Sequence, residues 1–186
     1  MTDKIIKFLE ETKPDTPCVV IDLDVVEHSY KKLQYFMPKA DIFYAVKANP
    51  GEAVVKKLVD LNSNFDCASI GEIELVLSQG ATAEQISYGN TVKKEKDIKK
   101  AYELGIRLFC FDSEEELHKI SRSAPGSKVF CRIMWTGDGA DWPLSKKFGC
   151  ETQMAVDLLT DAPSLGLEPY GVSFHVGSQQ RKVEQW

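Results

Sequence analysis

The segment FYAVKANP, residues 43–50, places a lysine near the end of a short apolar run. A buried parallel strand is apolar on both faces, so a lysine within one carries a large cost of desolvation. Lys47 therefore fits chemistry that uses an amine in an enclosed pocket, such as Schiff-base formation with a carbonyl. A lysine at a strand end can also extend its amine to water. The segment alone leaves both interpretations open.

Three more polar side chains lie at the ends of other strand-like runs: Asp66, Arg132 and His175. The reacting groups of a βα barrel gather at the carboxyl ends of its strands, so these residues and Lys47 are expected to face one opening. Each has an ordinary structural alternative, namely a helix cap, a partner of a core carboxylate and a hydrogen-bonded core histidine. Together at one face, the four favour a functional site.

This set matches what a pyridoxal phosphate site requires. A lysine binds the aldehyde of the cofactor, a carboxylate keeps the pyridine nitrogen protonated, and a flat side chain stacks on the ring. Small or hydroxylic residues and backbone amides hold the phosphate. The sequence therefore predicts pyridoxal 5'-phosphate as the cofactor and no metal site.

Six strand-like runs must position these groups. They begin near residues 42, 64, 86, 108, 128 and 171, and most intervals are close to the length of one strand, two loops and a three-turn helix. The predicted strands are Ile42–Lys47, Phe65–Ala68, Ile86–Gly89, Leu108–Phe111, Lys128–Met134 and Gly171–Val176.

Helices are predicted between the strands. The patterns Ser69-x-x-Glu72 and Ser113-x-x-Glu116 are capping boxes that mark two helix starts. The run Lys93–Lys100 is interpreted as one solvated helix face. The final segment Gln179–Trp186 is interpreted as the opening of another helix.

Strands that alternate with helices predict a parallel α/β sheet, either an open doubly wound sheet or a (β/α)8 barrel. The steady repeat and the lack of a GxGxxG turn favour the barrel. The prediction is a partial (β/α)8 TIM-like barrel of about six βα units over residues 38–186. Residues 1–37 are predicted to form a helix, a strand at Cys18–Asp22 and a second helix. A full barrel needs about 250 residues, so the chain is expected to be incomplete.

Composition excludes several classes of function. The 186 residues carry a net charge of −5, which argues against a nucleic-acid surface. No apolar run has the length of a membrane span, and residues 1–4 lack the apolar core of a signal peptide. The five cysteines are scattered without a CxxC pair, so a reducing cytoplasm is expected.

Four ordered motifs resemble the N-terminal part of the alanine-racemase-like family of pyridoxal-phosphate decarboxylases, in particular its ornithine, diaminopimelate and arginine decarboxylase branch. The similarity runs from Thr16 to the end of the chain. The matching motifs are Tyr44–Asn49, Phe65–Ser69, Leu144–Gly149 and Ser173–Ser178.

The resemblance implies a role for each matched residue. Lys47 would attach the cofactor and later transfer a proton, and Asp66 would bind the pyridinium nitrogen. His175 would stack on the ring, Ser178 would bind the phosphate, and Arg132 would lie beneath the cofactor.

Three residues would have supporting roles. Ala45 would share the face of the lysine, and Glu72 would receive the lysine ammonium once substrate displaces it. Lys147 would form a salt bridge across a dimer interface.

The implied activity is decarboxylation of a small-molecule amino acid, most simply L-ornithine or L-lysine, to a diamine in polyamine biosynthesis by a homodimer. Alternatives are a diaminopimelate or arginine decarboxylase, a non-catalytic relative that binds a regulatory protein, and a single-domain barrel of cofactor homeostasis. The family's C-terminal β-domain, which the strand Cys18–Asp22 would join, is expected to be missing. The pocket that reads substrate length would also lie there.

Overall fold

The computed structural model describes residues 1–142 and 147–186. Six strands form one parallel sheet whose order follows the chain, and two further strands form a separate antiparallel pair. The sheet strands are β1 (Phe43–Ala45), β2 (Asn64–Cys67), β3 (Ile86–Tyr88), β4 (Leu108–Phe111), β5 (Lys128–Arg132) and β7 (Glu168–Ser173). The antiparallel pair is β6 (Ala140–Trp142) and β8 (Ser178–Gln180).

The helices of the βα units form a single layer. Each helix from the second to the fifth contacts the next one along the chain, as expected when all of them cover the same side of the sheet. The α-helices are α1 (Asp3–Thr12), α2 (Leu23–Phe36), α3 (Glu52–Asp60), α4 (Ile70–Ser78), α5 (Glu95–Glu103), α6 (Glu114–Ser123) and α7 (Thr152–Asp161). Within the described residues, no helix is both long and apolar enough to cross a membrane.

The strand order decides between the two predicted architectures. A doubly wound sheet reverses its strand order at a switch point, whereas the strands of a barrel follow one another in sequence. Here β1 to β5 and then β7 are neighbours in chain order. The partial (β/α)8 barrel of six βα units is therefore confirmed.

The two faces of the sheet differ in polarity. On β2 and β5 the buried residues Phe65, Cys67, Val129 and Cys131 belong to the core between strands and helices. The alternate residues Asp66 and Arg132 are half-buried on the opposite, concave face. The concave face is therefore the one that holds the candidate polar groups.

Both predicted capping boxes start helices, which fixes where the βα loops end. Ser69 Oγ accepts a hydrogen bond from the backbone N–H of Glu72 at 3.3 Å, and Ser113 Oγ accepts one from the N–H of Glu116 at 3.3 Å. These caps place the starts of α4 and α6 directly after β2 and β4.

Cys18–Asp22, predicted to be a strand that joins a missing β-domain, forms no strand within the described residues. The segment is not assigned to a strand, and Val19 is 88% exposed. Its β-branched residues favour extended backbone, but a strand also needs a neighbour to pair with, and no strand within residues 1–142 and 147–186 lies beside it. Asp22 instead caps α2 by accepting the N–H of Asp24 at 3.0 Å.

The predicted helix at Gln179–Trp186 is wrong. Residues Ser178–Gln180 pair with Ala140–Trp142 as antiparallel strands, and only a short 3-10 turn follows at Val183–Gln185. Gln179 adopts a φ of 51°, which a right-handed helix does not accommodate.

Lys93 departs from the predicted solvated helix face. Helix α5 begins at Glu95, and Lys93 lies before it with its side chain fully buried against Glu116. A run of charged residues indicates an exposed helix face but does not show where the helix begins. The prediction therefore placed Lys93 and Lys94 wrongly in the helix. The boundary predicted at residue 37 between an N-terminal segment and the barrel stays a prediction.

Candidate functional site

The concave face of the sheet holds a cavity of about 520 Å³. Four of the residues predicted from the sequence line it together: Lys47, Asp66, Arg132 and His175. They come from the ends of four different βα units, as the strand-end argument predicts. The cavity is also lined by Ser87, Gly89, Phe130, Ser173 and Phe174, among others.

Lys47 reaches this cavity from a turn and not from a strand. Strand β1 ends at Ala45, and Val46–Ala48 form a 3-10 turn in which Val46 is fully buried. The hydroxyl of Tyr44 donates to the carbonyl of Asn49 at 3.2 Å and so joins the two ends of the turn. The prediction of a strand through Lys47 is therefore wrong by two residues.

Of the two interpretations left open for Lys47, the structure matches the one in which the amine extends to water. Lys47 is exposed, because the concave face of the six-stranded sheet is open to solvent. Ala45 pairs in register with Asp66, so these two residues share the concave face, and Ala45 is half-buried. The amine is thus at the mouth of the cavity and free to meet a ligand from solvent.

Asp66 lies in the middle of the concave face and accepts a hydrogen bond from Ser87. Ser87, its register partner on β3, donates from Oγ to Asp66 Oδ1 at 2.8 Å. Burial raises the pKa of Asp66, while the Ser87 hydrogen bond and the charges of Lys47 and Arg132 oppose this rise. A cation placed beside Asp66 would add to the opposing effects and stabilise the carboxylate.

Gly89 supports Asp66 and was not predicted from the sequence. A Cβ at this position would lie 1.8 Å from Asp66 Oδ1, so the carboxylate packs directly against the glycine backbone. The signal available in the sequence is a glycine at a strand end, which often marks a close approach of another group to the backbone. Which group approaches depends on register, and register was not part of the prediction.

His175 presents a neutral imidazole to the cavity. Its Nδ1 accepts a hydrogen bond from the backbone N–H of Gly177 at 2.9 Å, so the ring carries its proton on Nε2. Burial and the nearby charges of Arg132 and Lys47 lower the pKa of His175. A neutral, flat ring is suited to stacking on another flat ring.

Arg132 ends β5 and brings a positive charge to the floor of the cavity. Its guanidinium lies 5.4 Å from the ring centre of Phe148. The charge acts on both Asp66 and His175, whose pKa values it lowers. Arg132 is thus placed within electrostatic reach of the two other candidate groups.

The loop that carries Phe148 is fixed by two features that were not predicted. Gly149 donates its N–H to Asp112 Oδ2 at 2.8 Å, which joins the loop to the end of β4. A Cβ at Gly149 would lie 2.7 Å from the carbonyl carbon of Ile133, and the residue has a φ of +101°. Only glycine suits this position, and the contact holds Phe148 over Arg132.

Three other predicted residues lie apart from this cavity. Glu72 Oε2 accepts the N–H of Ala68 at 2.6 Å, so its carboxylate is engaged at the start of α4. Ser178 lines a neighbouring cavity of about 340 Å³ that it shares with His175 and Trp186. Lys147 is exposed in the loop before Gly149. Of the motif Leu144–Gly149, residues 144–146 lie outside the described residues.

The cavity thus combines an accessible amine, a half-buried carboxylate, a guanidinium and a neutral imidazole. Within the described residues, Ser87 is the one side chain that donates to Asp66, and it does so through Oδ1. The carboxylate is therefore able to accept a further hydrogen bond from a bound N–H cation. No set of three or more histidine, cysteine or acidic side chains in the described part of the chain is arranged to hold a metal ion.

A protein-family model described as the pyridoxal binding domain of pyridoxal-dependent decarboxylases matches residues 23–186. A lysine/ornithine decarboxylase of Selenomonas ruminantium is 38% identical over 179 residues, which are 96% of this chain and 45% of that protein. Antizyme inhibitor 2 of Xenopus laevis is 38% identical over 178 residues, which are 96% of this chain and 39% of that protein. The chain spans less than half the length of these relatives.

Solved structures show the same fold. Lysine decarboxylase from Selenomonas ruminantium superimposes with a TM-score of 0.87 at 38% identity, covering 97% of this chain and 47% of that one. The arginine decarboxylase of Paramecium bursaria Chlorella virus, bound to agmatine, gives a TM-score of 0.93 at 33% identity, covering 100% of this chain and 50% of that one. A structure of an SrLDC mutant in complex with PLP gives 0.92 at 37% identity, covering 100% and 48%.

Proposed function

The chain belongs to the family of pyridoxal-dependent decarboxylases, and from this premise we propose that the protein uses pyridoxal 5'-phosphate to decarboxylate a basic amino acid. L-Ornithine is the favoured substrate and L-lysine the second, with a diamine and CO2 as products. The relatives named lysine/ornithine decarboxylase and ornithine decarboxylase support this choice. The proposed setting is polyamine biosynthesis by a cytoplasmic homodimer.

One observation carries the proposal: Lys47, Asp66, Arg132 and His175 line a single cavity on the concave face. The residues fit the cofactor chemically. Asp66 is a half-buried carboxylate that Ser87 leaves able to accept another N–H, and a protonated pyridine nitrogen is such a donor. His175 offers a neutral ring for stacking.

Pyridoxal phosphate, when bound, supplies an aldehyde that combines with amines and a ring that takes up the electrons released with CO2. In this chain, Lys47 holds the cofactor through its amine and returns a proton to the α-carbon of the substrate. Asp66 remains ionised and pairs with the ring nitrogen. Arg132 would lie beneath the cofactor as a supporting contact, and His175 would stack on the ring.

Three further residues complete the proposal. Ser178 contributes a hydroxyl to the phosphate from the cavity that it shares with His175. Glu72, engaged by the N–H of Ala68, would turn toward the Lys47 ammonium only after that contact breaks. Lys147, exposed in the loop before Gly149, would form an ion pair between subunits.

The central test is reductive trapping of the cofactor on the full-length protein. Pyridoxal phosphate and borohydride are expected to give a stable adduct on Lys47, located by peptide mass spectrometry, and Lys47→Ala is expected to give none. Lys57→Ala is the matched control, because Lys57 pairs with Glu27 away from the cavity. An adduct on another lysine, or none in the unaltered protein, contradicts the proposal. Release of CO2 from ornithine, lysine and arginine then ranks the substrates.

A second candidate is a non-catalytic relative that binds a regulatory protein. The 38% identity to antizyme inhibitor 2 favours it, since that similarity equals the similarity to the lysine/ornithine decarboxylase. Retention of Lys47, Asp66 and His175 in one cavity argues for the enzyme. An unaltered protein that traps no cofactor and releases no CO2 from any basic amino acid would decide for the non-catalytic relative.

A further inference from the structure

A buried ion pair outside the cavity joins the third and fourth βα units. Lys93 Nζ lies 2.9 Å from Glu116 Oε1, and the two side chains are 0% and 3% exposed. Glu116 also accepts the backbone N–H of Lys93 and pairs with the ammonium of Lys119. Burial lowers the pKa of Lys93, and the charge of Glu116 opposes that effect.

Stability alone does not account for this pair. Replacing a buried ion pair with apolar side chains of similar volume is often neutral or stabilising, because two charges no longer need to be desolvated. An apolar neighbour for such a replacement is present, since the ring centre of buried Tyr88 lies 5.6 Å from the Lys93 ammonium. The contribution that apolar side chains could not supply is directional hydrogen bonding.

The ammonium of Lys93 makes its directional bonds to the strand ends. It donates to the carbonyl of Asn90 at 2.8 Å and to the carbonyl of Cys110. Asn90 follows the end of β3, and Cys110 lies in β4. One side chain thus fixes the separation of two neighbouring strands where they approach the cavity.

The end of β3 in turn determines the position of Asp66. Ser87 donates the hydrogen bond to Asp66 Oδ1, and the backbone of Gly89 is the surface on which the carboxylate packs. Gly89 directly precedes Asn90. A displacement of Asn90 would therefore change both contacts of Asp66 at once.

We propose that Lys93 and Glu116 are positioning residues that hold the end of β3 and thereby orient Asp66 toward the ring nitrogen of the cofactor. The strand geometry is the evidence that these two residues position Asp66. The expected effect on cofactor binding rests in addition on the proposed function. Neither residue touches the cavity that holds Lys47, so neither takes part in the chemistry.

The test is a double variant of the full-length protein, Lys93→Met with Glu116→Leu, which removes the charges and fills the space. It is expected to unfold within a few degrees of the unaltered protein. Its dissociation constant for pyridoxal phosphate is expected to rise about tenfold or more, the scale seen when a partner that orients a ligating group is removed. The absorbance band of the bound cofactor should shift, and a crystal structure should show that the Ser87–Asp66 hydrogen bond is lost.

Lys119→Met is the second variant, in case the double variant fails to fold. It removes one ion-pair partner of Glu116 and the donor to the Lys93 carbonyl from a less buried site, so a smaller loss of cofactor affinity is expected. Arg122→Met is the control, because it breaks the exposed α5–α6 pair with Glu95 without touching a strand.

Unchanged cofactor affinity in a stably folded double variant, or in Lys119→Met if only that variant folds, would overturn the inference. Retention of the Ser87–Asp66 hydrogen bond would do the same. If the unaltered protein binds no pyridoxal phosphate, the proposed function fails separately. The Ser87–Asp66 distance in the variant then still decides whether Lys93 and Glu116 position Asp66.

Discussion

At the scale of a single residue, two opposing effects act on the charge of the Asp66 carboxylate. Burial on the concave face disfavours its charge and raises its pKa, whereas the hydroxyl of Ser87 and the charges of Lys47 and Arg132 favour it. An ionised Asp66 is what the proposed cofactor needs, so the site keeps a carboxylate that costs stability when no ligand is bound.

Asp66→Asn is expected to stabilise the ligand-free protein at neutral pH. The pKa of Asp66 is raised in the folded state, so between the unfolded and folded pKa values the native state binds more protons than the unfolded state. The free energy of unfolding therefore falls as pH rises through this interval, and the penalty is fully present above it. Asparagine carries no charge and avoids the penalty.

Urea unfolding at about pH 7 and about pH 3 measures this effect. The variant should be more stable than the unaltered protein at the higher pH and equal to it at the lower pH, where both side chains are neutral. Asp15→Asn, in an exposed loop, is the matched control and should change neither value. Equal stability of Asp66→Asn and the unaltered protein at neutral pH would contradict the prediction.

At the scale of elements, the loops that follow the strands are fixed by individual contacts. The 3-10 turn after β1 presents Lys47, and the Gly149–Asp112 hydrogen bond holds the loop after β5 against the end of β4. The second contact places Phe148 over Arg132. Loops held in this way position functional groups as strands do, although they lack strand pairing.

Gly149→Ala is expected to destabilise the protein by about 3 kcal/mol or more, since a left-handed φ and a backbone clash act together. The new Cβ would lie 2.7 Å from the carbonyl carbon of Ile133. Gly126→Ala is the matched control, because Gly126 also has a positive φ but has no atom within 4 Å of its Cβ position. The control should cost only about 1 kcal/mol.

Urea unfolding monitored by circular dichroism gives both free energies. If the two alanine variants lose the same free energy of unfolding, the close approach of Gly149 to Ile133 contributes nothing to stability. The loop that carries Phe148 is then not held as described. A larger loss of unfolding free energy in Gly149→Ala should be accompanied by a smaller change in protein fluorescence when pyridoxal phosphate is added. The reason is that Phe148 is then no longer held over Arg132.

The elements themselves were largely predictable from the sequence. Strand β4 was predicted with its observed bounds, and the serine caps at Ser69 and Ser113 mark helix starts, because both signals are local. Cys18–Asp22 has the composition of a strand but lacks a pairing neighbour in the described chain. Pairing is a property of distant residues and leaves no local signal.

The same distinction applies to the site. Asp66, Arg132 and His175 were found because each lies at a strand end, where chain position alone implies the cavity. Ser87 and Gly89 were missed because their contact with Asp66 depends on the register of β2 and β3. The buried pair of Lys93 and Glu116 also depends on how distant segments pack.

At the scale of the whole molecule, the sheet formed by the described residues has two edges. Strand β1 begins it and β7 ends it, and the concave face between them is open. Tyr170 and Val172 on β7 are 60% and 58% exposed. An apolar strand with unpaired backbone groups is a template for pairing with another chain.

For the 186-residue chain produced alone, Val172→Lys is expected to reduce self-association and binding of a hydrophobic dye at least severalfold. A charge on an edge strand disfavours strand addition without disturbing the buried core. Val19→Lys is the control, because Val19 is more exposed but lies outside any strand. Light scattering at matched concentrations measures the difference. Equal self-association of the two variants would show that the β7 edge is not the contact.

The chain-ordered sheet has a consequence for biosynthesis. Every strand after β1 in the sheet pairs with one that precedes it in the sequence, and the five strands from β1 to β5 are added strictly in turn. A polypeptide emerging from the ribosome therefore exposes each new strand after its partner has already been made. The growing sheet therefore offers one docking edge at a time, and the strands from β1 to β5 can be added progressively as they are made.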